Sequence, residues 1–162
     1  MATASETRVG TADHEAGHVL AYLDAGKAFR YVTINAKTSR CTGQVALNRP
    51  RRDTAHNVAR YALAGPAAEA YEAWRRAVGP DLDGVDAEGA EFRDYLAGAF
   101  LLGGKDDLDT ARGIFSDDRY LDLLTDDALD LVVRHWRAVE TVAAALLASP
   151  RALTYRQVQA LI

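Results

Sequence analysis

The segment Thr11-Ala-Asp-His14-Glu15-Ala-Gly-His18 carries two histidines four residues apart, with a glutamate directly after the first. On a helix, positions i and i+4 lie nearly one above the other, so this spacing aims two imidazoles at one point in space. Two neutral imidazoles are half of a zinc site, and a carboxylate one step round the helix can reach a water held there. Val19, Leu20 and Leu23 fall on the opposite side of the same helix, which therefore has a core face and a separate polar face. The chemistry implied is metal-assisted hydrolysis, with His14 and His18 as metal ligands and Glu15 as general base.

A catalytic zinc takes three protein ligands and keeps a position open for water, so the chain must supply one more donor. Four residues compete. Plotted on a helix, Leu108, Ala111, Ile114 and Phe115 share a face; Asp107 lies at its edge, while Asp106 and Asp109 point away. An inward carboxylate needs a partner, and a metal is a good one. Glu69 lies on the side of its helix shared by Val58, Ala62 and Ala73; His135 sits among Val132, Val139 and Leu146, and His56 lies near Leu63 and Trp74. A lone histidine on an apolar face is more often a hydrogen-bonded core residue, and periodicity leaves Asp107 and Glu69 tied.

These residues need elements to position them. The pattern predicts a helix from Thr11 to Ala25, ended by Gly26 in a left-handed C-terminal cap. Tyr31–Ala36 and Gly43–Leu47 read as a β-hairpin with its turn at Ser39–Gly43. Asp53 is the expected N-cap of a helix to Trp74, kinked or briefly broken at Gly65-Pro66. Pro80–Gly84 reads as a loop, followed by helices at Asp86–Leu102 and Asp106–Ser116. Thr125 is the expected cap of one long helix to Ala148, and Thr154-x-x-Gln157 has the form of a capping box for a short last helix. The expected fold class is mostly α, α+β with one small β-hairpin, in a single domain over residues 1–162 whose residues 1–10 form a flexible arm.

Composition sets the bounds. Of 162 residues, 49% are hydrophobic and 26% charged, an ordinary globular balance that argues against disorder. Nineteen basic against 23 acidic residues give a net charge of −4, which argues against a nucleic-acid footprint. The single cysteine, Cys41, excludes an internal disulfide framework and a cysteine-rich zinc module. MATASETRVG lacks the apolar core of a secretory signal, and the apolar runs Leu96–Leu102 and Val142–Ala148 are core-length, too short to span a membrane. The expected setting is cytoplasmic, with no membrane and no nucleic acid among the partners.

The stretch His14-Glu-Ala-Gly-His18-Val-Leu-Ala-Tyr-Leu resembles the HEAGH helix in the peptidase domain of the FtsH-type ATP-dependent zinc metalloproteases. Further segments follow in that family's order. Tyr31-Val-Thr-Ile-Asn resembles its short strand, Leu63-Ala-Gly-Pro-Ala-Ala-Glu69 its Gly-Gly-Arg-Ala-Ala-Glu helix, and Asp106-Asp-Leu-Asp-Thr-Ala111 its Asn-Asp-Leu-x-x-Ala segment. The tail, with Trp136, Ala143–Leu147 and Leu153-Thr-Tyr-Arg-Gln-Val, resembles its final helices. The resemblance implies a helical zincin-like metallopeptidase domain that binds Zn2+ through His14, His18 and Asp107. Glu69 then stands behind the metal, accepting the other ring N–H of a ligand histidine; its competing reading is a buried carboxylate paired with an arginine.

The chain departs from the family in three places. No P-loop or AAA+ module occurs in it, Asp106 replaces the family's asparagine and adds negative charge, and acidic Gly79–Tyr95 has no clear counterpart. The expectation is a standalone, ATP-independent zinc metalloendopeptidase acting on unfolded or flexible polypeptides, or supplied with substrate by a separate ATPase or adaptor. The strand Tyr31–Asn35 would align the extended substrate by β-augmentation. The rivals are a non-catalytic protein-binding module that keeps this fold, and a zinc hydrolase of a non-peptide amide. Tyr61, Arg60 and His56 are oxyanion candidates by proximity in sequence only, and none is assigned. Arg49, Arg51 and Arg52 read as a solvated loop, and Trp74 and Trp136 as core.

Overall fold

The computed structural model describes residues 4–35, 43–47, 53–79 and 90–162. It is mostly helical with a small antiparallel sheet. In chain order the elements are α1 (Ala4–Asp24), β1 (Phe29–Thr33), β2 (Gln44–Leu47), α2 (Ala55–Val78), α3 (Ala90–Leu102), α4 (Lys105–Ile114), α5 (Asp118–Arg134), α6 (Trp136–Ala148), β3 (Leu153–Thr154) and α7 (Tyr155–Gln159). The turn Ser39–Gly43 apart from Gly43, Cys41, the arginines 49, 51 and 52, and the loop Pro80–Gly84 lie outside the described residues.

Helix α1 begins at Ala4, seven residues before the expected start at Thr11, so most of the stretch read as an arm is helix. Its C-terminal end follows the sequence: Gly26 takes a φ of 66°, and its N–H donates to the Leu23 carbonyl. Helix α2 starts one residue later than expected. Thr54 is the cap, its hydroxyl accepting the Asn57 N–H at 3.1 Å, while Asp53 accepts the Thr54 N–H and the Asn57 side chain from outside the helix. The helix runs through Pro66 unbroken to Val78 rather than stopping at Trp74. Proline removes one donor from the ladder, but α2 is buried from Tyr61 to Ala68, so packing holds it straight on.

The two central helices cross at close range because small residues line the crossing. An added Cβ at Gly17 of α1 would strike the Ala64 carbonyl of α2 and lie 2.7 Å from the Ala68 Cβ. Around this pair, Val19, Leu20, Tyr71, Trp74, Trp136, Val139, Val142 and Leu146 form one apolar core, and Leu63, Ala64, Leu121, Leu124 and Leu131 form a second. Each fully buried Leu or Val contributes roughly 1.5–3 kcal/mol. Trp74 and Trp136 are buried as expected. The run Leu96–Leu102 is only partly core: Ala99 is buried, but Leu101 and Leu102 are 84% and 83% exposed.

Long-range contacts extend one expectation and overturn another. The expected antiparallel pair of β1 and β2 forms, and β3 adds a third strand in the order β2-β1-β3, with Tyr31 opposite Thr154 and Val32 opposite Leu153. Strand β1 is therefore central at Tyr31 and Val32, whereas β3 does not extend to Thr33. The single helix expected from Thr125 to Ala148 is two: Asp117 caps α5, Thr125 lies inside it with its hydroxyl on the Leu121 carbonyl, and His135 joins α5 to α6. His135 is exposed at that junction rather than set among apolar side chains. The capping box of α7 is present, with Thr154 and Gln157 bonded reciprocally. No described helix is long and apolar enough to cross a membrane.

Candidate metal centre

His14 and His18 occupy successive turns of one face of α1, and their rings meet edge to face with centroids 4.7 Å apart. Each ring has one nitrogen anchored. His14 Nδ1 lies 3.1 Å from Glu69 Oε2 on α2, and His18 Nδ1 donates to the Tyr61 carbonyl at 2.7 Å. Those acceptors require the proton on Nδ1 and leave both Nε2 lone pairs directed at the same point. Asp107, in the first turn of α4, reaches that point: its Oδ2 is 3.1 Å from His14 Nε2 and 3.6 Å from His18 Nε2. Among the described residues these three form the one group of His, Cys, Asp and Glu side chains disposed for a metal ion, with donor atoms within 4.8 Å of one another.

The donor set fits zinc. Tetrahedral ligands at about 2.0–2.1 Å from zinc stand about 3.3–3.4 Å apart, between the two nitrogen–oxygen spacings seen here. The electrostatics point the same way. Burial opposes a charge on His14, yet hydrogen bonds to Asp107 and Glu69 outweigh it and push its pKa up to about 10. Burial would raise the Asp107 carboxyl, but its bonds to the two histidines hold it well below the usual carboxylate range. The carboxylates around His14 thus favour a cation between them, a proton or a metal ion.

Backbone approach makes this possible. An added Cβ at Gly65 of α2 would lie 2.5 Å from His18 Cε1 and Nε2, and 2.9 Å from His14 Cδ2. At Gly104, between α3 and α4, it would lie 2.5 Å from Pro66 Cγ. Pro66, awkward for the helix, thus seats the α3–α4 turn and sets Asp107 over the histidines.

Glu15 is 6% exposed, and its Oε2 makes no hydrogen bond. Burial pushes its pKa up, opposed by His18 and His14. Its other oxygen stands against Gly43, just before β2, where any side chain would collide with it. A buried, unpartnered carboxylate oxygen costs free energy unless something else binds there.

The structure thus brings His14, Glu15, His18, Glu69 and Asp107 together. Glu69 pairs with His14 rather than with an arginine. His56 is exposed and 3.8 Å from Asp127, and Asp106 is exposed. Of the oxyanion candidates, Tyr61 donates its hydroxyl to Asp53, and Arg60 pairs with Asp24 and Asp127. The sequence reading overlooked Tyr22, one turn past His18 on the ligand face; its i+4 spacing was the available signal. No protein-family model matches the chain, and no curated protein matches it significantly, so the site's own geometry carries the functional argument.

Proposed function

We propose that the chain is a zinc-dependent metalloendopeptidase that hydrolyses peptide bonds in unfolded or flexible polypeptides. The observation that carries this reading is the convergence of His14 Nε2, His18 Nε2 and Asp107 Oδ2 beside the buried, unpartnered Glu15. A purely structural metal site has no use for such a carboxylate. The motif resemblance to FtsH-type peptidase domains adds support.

His14, His18 and Asp107 would hold the ion. When bound, zinc supplies Lewis acidity, lowering the pKa of a coordinated water toward ~7 and polarising a scissile carbonyl. Glu15 takes a proton from the attacking water as the oxygen–carbon bond forms, and gives it to the amine nitrogen as the carbon–nitrogen bond breaks. Burial pushes its pKa up, which strengthens Glu15 as a proton acceptor. Glu69 and the Tyr61 carbonyl keep the histidines in the Nδ1–H tautomer. The start of β2 at Gly43 adjoins Glu15, so an extended chain pairing along this side of the sheet would pass the catalytic carboxylate.

Zinc per chain, measured by elemental analysis for wild type and Asp107→Ala, is the first test. About one zinc in the wild type and strong loss in the variant is expected. Glu15→Gln should then keep the zinc and lose cleavage of fluorescently labelled casein. A wild type that takes up no zinc refutes the proposal.

A further inference from the structure

Charge must develop on the carbonyl oxygen when water adds to an amide, and a preorganised donor beside that oxygen accelerates the step. Tyr22 follows His14 and His18 by eight and four residues, on the same face of α1. Helical side chains lean toward the N-terminus and cover the preceding turn. A tyrosine is long enough to span the roughly 5.4 Å of that turn, which returns its hydroxyl to the level of His18.

The neighbours hold the ring in place. The Tyr22 ring stacks on Tyr61 with centroids 4.4 Å apart, and the backbone carbonyl of Tyr61 holds His18 Nδ1. Tyr61 is itself anchored through its hydroxyl to Asp53 at 2.8 Å. Tyr22 is half-buried between the two cores, so its ring has little freedom to swing. Its own hydroxyl donates no hydrogen bond among the described residues. Burial and then the charges of Asp107, Asp53 and Glu15 push its pKa up to about 12. A phenol keeps its proton at neutral pH, so the group is available as a donor.

Resting on the peptidase reading above, we propose that Tyr22 is a catalytic residue whose hydroxyl donates a hydrogen bond to the oxyanion formed on the scissile carbonyl. The proton stays on Tyr22 throughout, so the proton traffic through Glu15 is unchanged.

Tyr22→Phe keeps the ring and its stacking on Tyr61 and removes only the donor. Zinc affinity and melting temperature should be unchanged. On labelled casein, kcat should fall about 10²–10³-fold with KM within about threefold. Calorimetry on the zinc-loaded proteins with a phosphoramidate dipeptide, which mimics the tetrahedral anion, should show at least a tenfold loss of affinity in the variant. Loss of zinc affinity in Tyr22→Phe would overturn the assignment by making Tyr22 a metal ligand. Unchanged kcat and unchanged phosphoramidate affinity, beside an active wild type, would overturn it and leave the peptidase reading standing. A zinc-loaded wild type that neither cleaves casein nor binds the phosphoramidate would overturn both.

Discussion

Replacing Gly65 by alanine adds one methyl group and tests whether α2 really presses on the metal ligands. In an open helical position this change is favourable by about 0.5–1 kcal/mol, since glycine has more backbone freedom to lose. At Gly65 the new Cβ would lie 2.5 Å from His18 Cε1 and Nε2, where ordinary contact begins at 3.4 Å. The His18 ring must retreat by roughly 0.9 Å in a close-packed interior, several times the ~0.2 Å that a metal–ligand bond tolerates. It cannot turn freely either, because its Nδ1 is held by the Tyr61 carbonyl. Overpacking of this kind costs about 1–3 kcal/mol, so the metal-free variant should be net destabilised by about 1–2 kcal/mol. Zinc affinity, measured by competition with a chromogenic chelator, should fall at least 100-fold, equivalent to about 2.7 kcal/mol. Gly98 and Gly113 have nothing within 4 Å of an added Cβ and serve as internal controls. Gly98→Ala and Gly113→Ala should keep full zinc affinity and gain up to about 1 kcal/mol of stability. A Gly65→Ala protein that binds zinc as tightly as those controls would refute the packing argument.

Zinc must displace the proton that His14 holds with a pKa of about 10, so apparent affinity should rise about tenfold per pH unit from pH 6 to 8, with proton release seen by calorimetry in buffers of different ionisation enthalpy. A flat affinity over that range would contradict the double carboxylate clamp on His14. Asp53 tests the entry to α2. Burial would raise its carboxyl, but bonds from Asn57, Tyr61, Lys27 and the Thr54 N–H outweigh this and hold its pKa down at about 2, from 3.8. A depressed carboxylate stabilises the fold above its unfolded pKa, so its contribution is present above about pH 4 and vanishes toward pH 2. Allowing for solvent screening, Asp53→Asn should cost about 1 kcal/mol at pH 7 and about a third of that at pH 2.5, read from urea melts at the two values.

The parts of the fold legible in the sequence are those fixed by local chemistry. Gly26 ends α1 because its φ of 66° favours glycine, and Thr154 with Gln157 closes a capping box within four residues. The histidine pair is likewise local, since one helix turn dictates it. Asp107 and Glu69 were narrowed by periodicity but not separated, because one touches both histidine Nε2 atoms and the other His14 Nδ1, and both sit at the edge of an apolar face. The missed features depend on distant partners. Strand β3 has only two residues, too few for an alternating pattern, and exists because β1 offers it an edge. The break at His135 carries no glycine or proline; it separates a helix that feeds both cores from one that feeds the first. Thr54 displaced Asp53 as cap because Lys27 and Tyr61 engage the aspartate from other elements.

The bond between His14 and Asp107 joins residues 93 positions apart, and it gathers Asp107, Glu69 and Glu15 into one negative pocket. In kinetic terms this is an expensive closure: the loop entropy is spent first, and carboxylate repulsion opposes the last step. A cation that binds only after the folding barrier is crossed slows unfolding far more than it speeds folding. The ion's contribution to the chain's persistence is in that case a matter of lifetime.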